Sequence, residues 1–188
     1  MSIINKDHCG LLIIDMQEYF RSLAEPILPD IKQLIRRCRQ DNVPVIFTRH
    51  AHEDPVEDGG MLAKWWGELI IDGTPYAEIL PEIKPHPTEK IIHKKRYSAF
   101  FQTDLHSHLQ KHSIQQLIIS GVMTNLCCET TARDAFVHDY EVLFLSDGTA
   151  TSSEEFQRAT LLNLSFGFAQ IVTCKEICDS IFLNKELF

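Results

Sequence analysis

The chain reads as an α/β protein, a three-layer sandwich around a six-stranded, mostly parallel sheet. Two observations predict it. Short runs rich in Val, Ile, Leu and Phe alternate with amphipathic stretches of helical length, which is the pattern of βαβ units. Right-handed crossovers then restrict the topology to a doubly wound layer sandwich. No internal repeat, low-complexity tract or linker divides the sequence. Its 188 residues, 44% hydrophobic and 23% charged, suit one domain over 1–188.

The first strand is expected over 10–14, where Leu11-Leu12-Ile13-Ile14 gives out at Asp15. A helix over 29–41 follows, then a strand over 43–48. The third strand, 90–93, runs out at Lys94, and Thr103 or Asp104 can cap the next helix, 103–112. Strand 116–120 leads into a helix over 125–139, and strand 141–145 into a helix over 153–167. Ser152 or Ser153 precedes Glu154 and Glu155, acids that suit a helix N-terminus. A short strand, 170–172, and a helix near 175–184 complete the alternation. Residues 49–75 break it. They carry Gly59, Gly60, Gly67 and Gly73 with Trp65 and Trp66, and a connection this long is expected to fold over a pocket as a lid or wall.

The net charge of −8 argues against nucleic acid or an anionic membrane as partner, since both need clustered Lys and Arg; Lys94-Lys95-Arg96 is too short a run. No signal-peptide pattern and no apolar run of membrane-spanning length is found, so a cytoplasmic protein is expected. The six cysteines show no disulfide spacing and are expected to be reduced.

Cys127 stands at the opening of the helix expected over 125–139. The free N–H groups and positive dipole end there favour a thiolate. Asp15 and Lys94 end parallel strands, and ligands of such sheets bind outside the carboxyl ends of the strands, so an acid, an ammonium and a thiol converge on one crevice. Acyl transfer needs a nucleophile, a proton carrier and oxyanion donors. Cys127 suits the first, Asp15 the second, and the backbone amides of Met123 and Cys127 the third. Lys94 would hold Asp15 ionised and tilt Cys127 toward thiolate. Each residue also has a plainer reading: a small core cysteine, a turn-capping aspartate, a solvated strand-end lysine. Cys128 is expected to pack against the sheet.

His50 and His52 follow strand 43–48 and leave two options open. They hold a divalent metal such as zinc, or they hydrogen-bond the lid or a substrate carbonyl. Cys174 and Cys178 share a helix face without the further ligands of a metal site. Trp65 and Trp66 either line an aromatic pocket with Phe20 and Tyr97 or anchor the lid.

Three blocks of sequence resemble the isochorismatase-like cysteine hydrolase superfamily: Leu11-Leu12-Ile13-Ile14-Asp15-Met16-Gln17, Lys94-Lys95-Arg96-Tyr97-Ser98-Ala99-Phe100, and Gly121 through Phe136 with its Cys127-Cys128 pair. The resemblance covers nearly all of the chain. It implies a Rossmann-like topology, a triad of Asp15, Lys94 and Cys127, oxyanion amides at Met123 and Cys127, and a cis peptide at Val122-Met123. Phe47-Thr48-Arg49-His50, Gly60 through Trp66 and Asp72-Gly73-Thr74 are similar to the plant-type nicotinamidase branch, and related bacterial amide hydrolases share these blocks. One departure concerns metal: many nicotinamidases use an Asp-x-His pair with a further histidine, whereas this chain has His50 at the aspartate position and His52 at the histidine.

The resemblance implies a hydrolase that cleaves the carbon–nitrogen bond of a small planar amide through a thioester, without a required cofactor, in a homo-oligomer. Alternatives are a ureido or carbamoyl amide hydrolase with the same triad, an isochorismatase-type vinyl ether hydrolase, and a catalytically silent binding protein of the same fold. Cys127 argues against the vinyl ether reaction.

Overall fold

A computed structural model describes residues 4–183. Its six strands, all parallel, are ordered β3-β2-β1-β4-β5-β6. They are β1 (Cys9–Ile14), β2 (Val45–His50), β3 (Lys90–Lys94), β4 (Gln116–Val122), β5 (Glu141–Ala150) and β6 (Gln170–Val172). The helices are α1 (Arg21–Ala24), α2 (Leu28–Gln40), α3 (Pro55–Asp58), α4 (Gly60–Trp66), α5 (Leu105–Lys111), α6 (Glu129–Val137), α7 (Glu154–Gly167) and α8 (Cys174–Leu183). Residue 184, the last of the final expected helix, lies outside the described residues.

Alternation along β1 divides the interior between the two faces of the sheet. Leu11 and Ile13 belong to a core with Ile31 and Leu34 of α2 and Ile177 of α8, whereas Leu12 and Ile14 belong to one with Leu109 of α5, Ala132 of α6 and Leu164 of α7. Every β1 side chain is buried, as a central parallel strand covered on both faces requires. The Ser153 side chain accepts from the Phe156 N–H at the start of α7, as the sequence suggests, while Thr103 rather than Asp104 accepts from the Leu105 N–H of α5.

The strand order reverses between β1 and β4, and that crevice is where a doubly wound sheet takes its ligand. β4 approaches β1 so closely that a Cβ on Gly121, at φ +115°, would lie 2.0 Å from the Ile14 carbonyl oxygen. Three expectations need correction: β5 runs to Ala150 rather than stopping at 145, because Thr149 and Ala150 resume the pairing with Gly121 and Val122 of β4 after a bulge, and two more follow. β2 runs to His50 rather than stopping at 48, because Arg49 and His50 continue the pairing with His93 and Lys94 of β3. The helix expected over 125–139 begins instead as a five-residue π turn, Thr124–Cys128, before α6 starts at Glu129.

Candidate active site

Asp15 follows β1 with a φ of 48°, a left-handed conformation that Asp tolerates better than most residues. Thr48 of β2 fixes it by a reciprocal pair: the Thr48 hydroxyl accepts from the Asp15 N–H (3.0 Å) and donates to Asp15 Oδ1 (2.5 Å). Lys94 ends β3 and reaches past β2. Its Nζ forms an ion pair with Asp15 Oδ2 at 2.7 Å and donates to Cys127 Sγ (3.4 Å) and to the Arg96 carbonyl (3.0 Å). Both members of the ion pair have no solvent-exposed side-chain surface. The peptide bond Val122-Met123 is cis, and the π turn that follows carries Cys127 into the same crevice.

Burial pushes the Cys127 thiol up to about 12; Lys94 opposes this shift and Asp15 reinforces it. The thiolate expected from the helix-start position is therefore corrected: desolvation outweighs the nearby ammonium and backbone dipoles, and the thiol is protonated with a carboxylate as its neighbour. Burial also works against the Lys94 ammonium, but Asp15 and Cys127 outweigh it and its pKa is raised. Cys128 is wholly buried in the core that includes α6.

Cys127 opens onto a cavity of about 440 Å³, walled on the other side by the long excursion after β2. Leu62, Trp66, Glu68 and Ile70 of that excursion line it, facing Phe20, Tyr97 and Met123. The Trp66 indole N–H donates to the Tyr97 hydroxyl at 2.8 Å. Trp65 is not among the lining residues and is 75% exposed, so its expected place in the aromatic pocket is corrected. One turn of α4 sends only one of two adjacent indoles inward.

His50 lines the cavity and His52 does not. Gln17, unassigned by the sequence reading, holds the end of β2: its side chain accepts from the His50 N–H (2.7 Å) and donates to the His50 and Ala77 carbonyls (2.9 and 2.8 Å). Burial, then Lys94, lowers the His50 pKa to about 4, so the imidazole is neutral near pH 7. The His52 ring packs edge-on against it at 5.1 Å. His52 Nδ1 pairs with Asp58 (2.9 Å), and Asp58 in turn engages Lys95 (2.8 Å) and the Glu53 N–H (3.0 Å). A metal would thus meet two imidazoles with the neighbouring carboxylate already matched to an ammonium; among the described residues no group of three His, Cys, Asp or Glu is arranged to hold an ion.

Thr48 and Gln17 are the supporting residues that sequence reasoning missed. Their signal was a polar side chain inside or directly after an apolar run, where burial demands a hydrogen-bond partner.

A family model for the isochorismatase domain matches residues 9–176. The chain belongs to the isochorismatase family. It is 47% identical to nicotinamidase 3 of Arabidopsis thaliana over 183 residues, covering 96% of this chain and 92% of that one. It is 28% identical to a ureidoacrylate amidohydrolase of Enterobacter, over 93% of this chain and 89% of the relative. The crystal structure of a cysteine hydrolase from Pseudomonas syringae pv. phaseolicola superposes with a TM-score of 0.92 at 27% identity, covering 96% and 95% of the two chains. The protein is a hydrolase of the amide carbon–nitrogen class, and the vinyl ether and silent-binder alternatives are not favoured.

Proposed function

We propose that the protein hydrolyses nicotinamide or a closely similar planar carboxamide by covalent catalysis at Cys127. The observation that carries this reading is the contact of one buried ammonium, Lys94, with both a carboxylate, Asp15, and a thiol, Cys127, which itself lines an apolar, aromatic-walled cavity. The likeness to a plant nicotinamidase supplies the substrate class.

Cys127 Sγ attacks the amide carbon as its proton passes to Asp15. The backbone N–H groups of Met123 and Cys127 serve the developing oxyanion. As the tetrahedral intermediate collapses, the carbon–nitrogen bond breaks, nitrogen takes the proton from Asp15, and ammonia leaves a thioester. Water then attacks the thioester carbon and gives a proton to Asp15. The carbon–sulfur bond breaks, and the proton returns to sulfur. A thiol held at about 12 suits this scheme, because attack coupled to proton transfer requires no standing thiolate. The Lys94 ammonium, in contact with both Asp15 and Cys127, compensates the charge that passes through sulfur. Phe20 and Trp66 flank the substrate ring, with Tyr97 steadying Trp66.

The reaction runs without a metal, a reading supported by the engagement of Asp58 with Lys95 and His52. Among the described residues no helix is long and apolar enough to cross a membrane. We place the protein in the cytoplasm as a homo-oligomer; six unpaired cysteines support the first, and the exposed Leu162 and Phe166 on α7 the second.

The test is ammonia release from nicotinamide, pyrazinamide and a ureido compound. Turnover of the ring carboxamides that disappears in Cys127→Ala supports the reading. Turnover of the ureido compound alone moves the substrate class.

A further inference from the structure

The cavity in front of Cys127 is lined by four aromatic residues, Tyr19, Phe20, Trp66 and Tyr97, and among its described lining residues Glu68 brings the one formal charge. His50, its pKa lowered to about 4 by burial and by Lys94, is neutral near pH 7. Lys94 is not a lining residue and is engaged by Asp15 and Cys127. Glu68 is exposed and pairs with no cation among the described residues. The way α4 ends puts it on the wall. Gly67 closes the helix at φ +76°, a conformation that suits glycine, and its N–H donates to the Ala63 carbonyl at 3.0 Å. Three residues later the Ile70 carbonyl accepts from the His52 N–H at 2.8 Å, so Glu68 and Leu69 form a short span tied at both ends.

Aromatic faces attract cations and a carboxylate repels anions, so this wall ranks ligands by charge. An anion meets Glu68 and finds no Lys or Arg among the lining residues. Resting on the nicotinamidase-type reading, we propose that Glu68 sets the charge class of the substrate: ring carboxamides that are neutral or carry a fixed positive charge are accepted, and those that carry a carboxylate are refused. The acid product of amide hydrolysis is itself an anion, and the same repulsion favours its departure.

Three compounds with one reacting group test this: nicotinamide, the cation 1-methylnicotinamide and the anion 5-carbamoylnicotinate. Each is measured for kcat/KM, and as a competitor of nicotinamide, with wild type, Glu68→Gln and Glu68→Lys. The readout is the cation-to-anion ratio within one protein. Ring size, intrinsic reactivity and the fraction of folded enzyme cancel when that ratio is compared across variants. It is expected to fall about tenfold in Glu68→Gln and about 100-fold in Glu68→Lys, and by less at about 0.5 M salt. Nicotinate is expected to inhibit Glu68→Lys more strongly than wild type. A ratio that stays within about twofold of wild type in both variants overturns the assignment while the nicotinamidase-type reading stands. So does a cation that neither reacts nor competes. A wild type that turns over no ring carboxamide overturns the nicotinamidase-type reading, and the assignment with it.

Discussion

The Lys94 ammonium and the Asp15 carboxylate meet at 2.7 Å with both side chains wholly removed from solvent. Such a pair depends on both members, because removing one leaves the other as an uncompensated buried charge. Lys94→Met is therefore expected to lower stability in urea unfolding by about 3–5 kcal/mol and to abolish turnover. The double variant Asp15→Asn with Lys94→Met, which removes both charges, is expected to be more stable than Lys94→Met alone and equally inactive. A double variant no more stable than the single one would contradict this account.

Cys127 carries a second expectation. With its thiol raised to about 12 by burial, the thiolate fraction is small at neutral pH and grows with each step upward in pH. Alkylation of Cys127 by iodoacetamide is expected to accelerate about tenfold per pH unit from pH 6 to 10, whereas an ordinary thiol of pKa about 8.5 levels off above it. A plateau already reached at pH 7 would mean that Lys94 outweighs desolvation and that the thiolate stands ready at rest.

Gly121 sets how closely β4 approaches β1. A methyl group there meets the Ile14 carbonyl at 2.0 Å, at a φ that side chains rarely adopt. Gly121→Ala is expected to cost at least about 2 kcal/mol in urea unfolding. Its kcat is expected to fall as well, because Asp15 directly follows Ile14. Unchanged stability and kcat would show that the strands yield without disturbing the site.

The two adjacent tryptophans separate cleanly by position. Trp66→Leu removes a cavity wall and the donor to Tyr97, so KM for the ring carboxamide is expected to rise about tenfold or more. Trp65→Leu, at a side chain 75% exposed, is expected to leave KM within about twofold. The opposite order, measured by steady-state ammonia release, would reverse the assignment.

Asp15 and Lys94 were legible because each is the first charge after an apolar run, and parallel strands put such ends on one edge. The end of β2 was not, since Arg49 and His50 look like loop residues. Gln17 caps the His50 backbone, and Arg49 finds Asp72 and Glu78, partners more than twenty residues away in sequence. The π turn at Thr124–Cys128 carries no composition signal that separates it from a helix. The cis bond at Val122-Met123 was available only through the family resemblance. Nor does sequence tell which of Trp65 and Trp66 faces inward, because that depends on where α4 begins. The direction of the Cys127 shift was misread for a related reason: a helix-start position is local information, whereas desolvation depends on the whole fold.

The account rests on a covalent bond to Cys127, and trapping it is the most direct test. Wild-type protein quenched in acid during turnover of nicotinamide, then digested and weighed by mass spectrometry, is expected to carry one nicotinoyl group on the peptide containing Cys127, absent from Cys127→Ala. Continued ammonia release by Cys127→Ala, with no acyl group on any wild-type peptide, would contradict it.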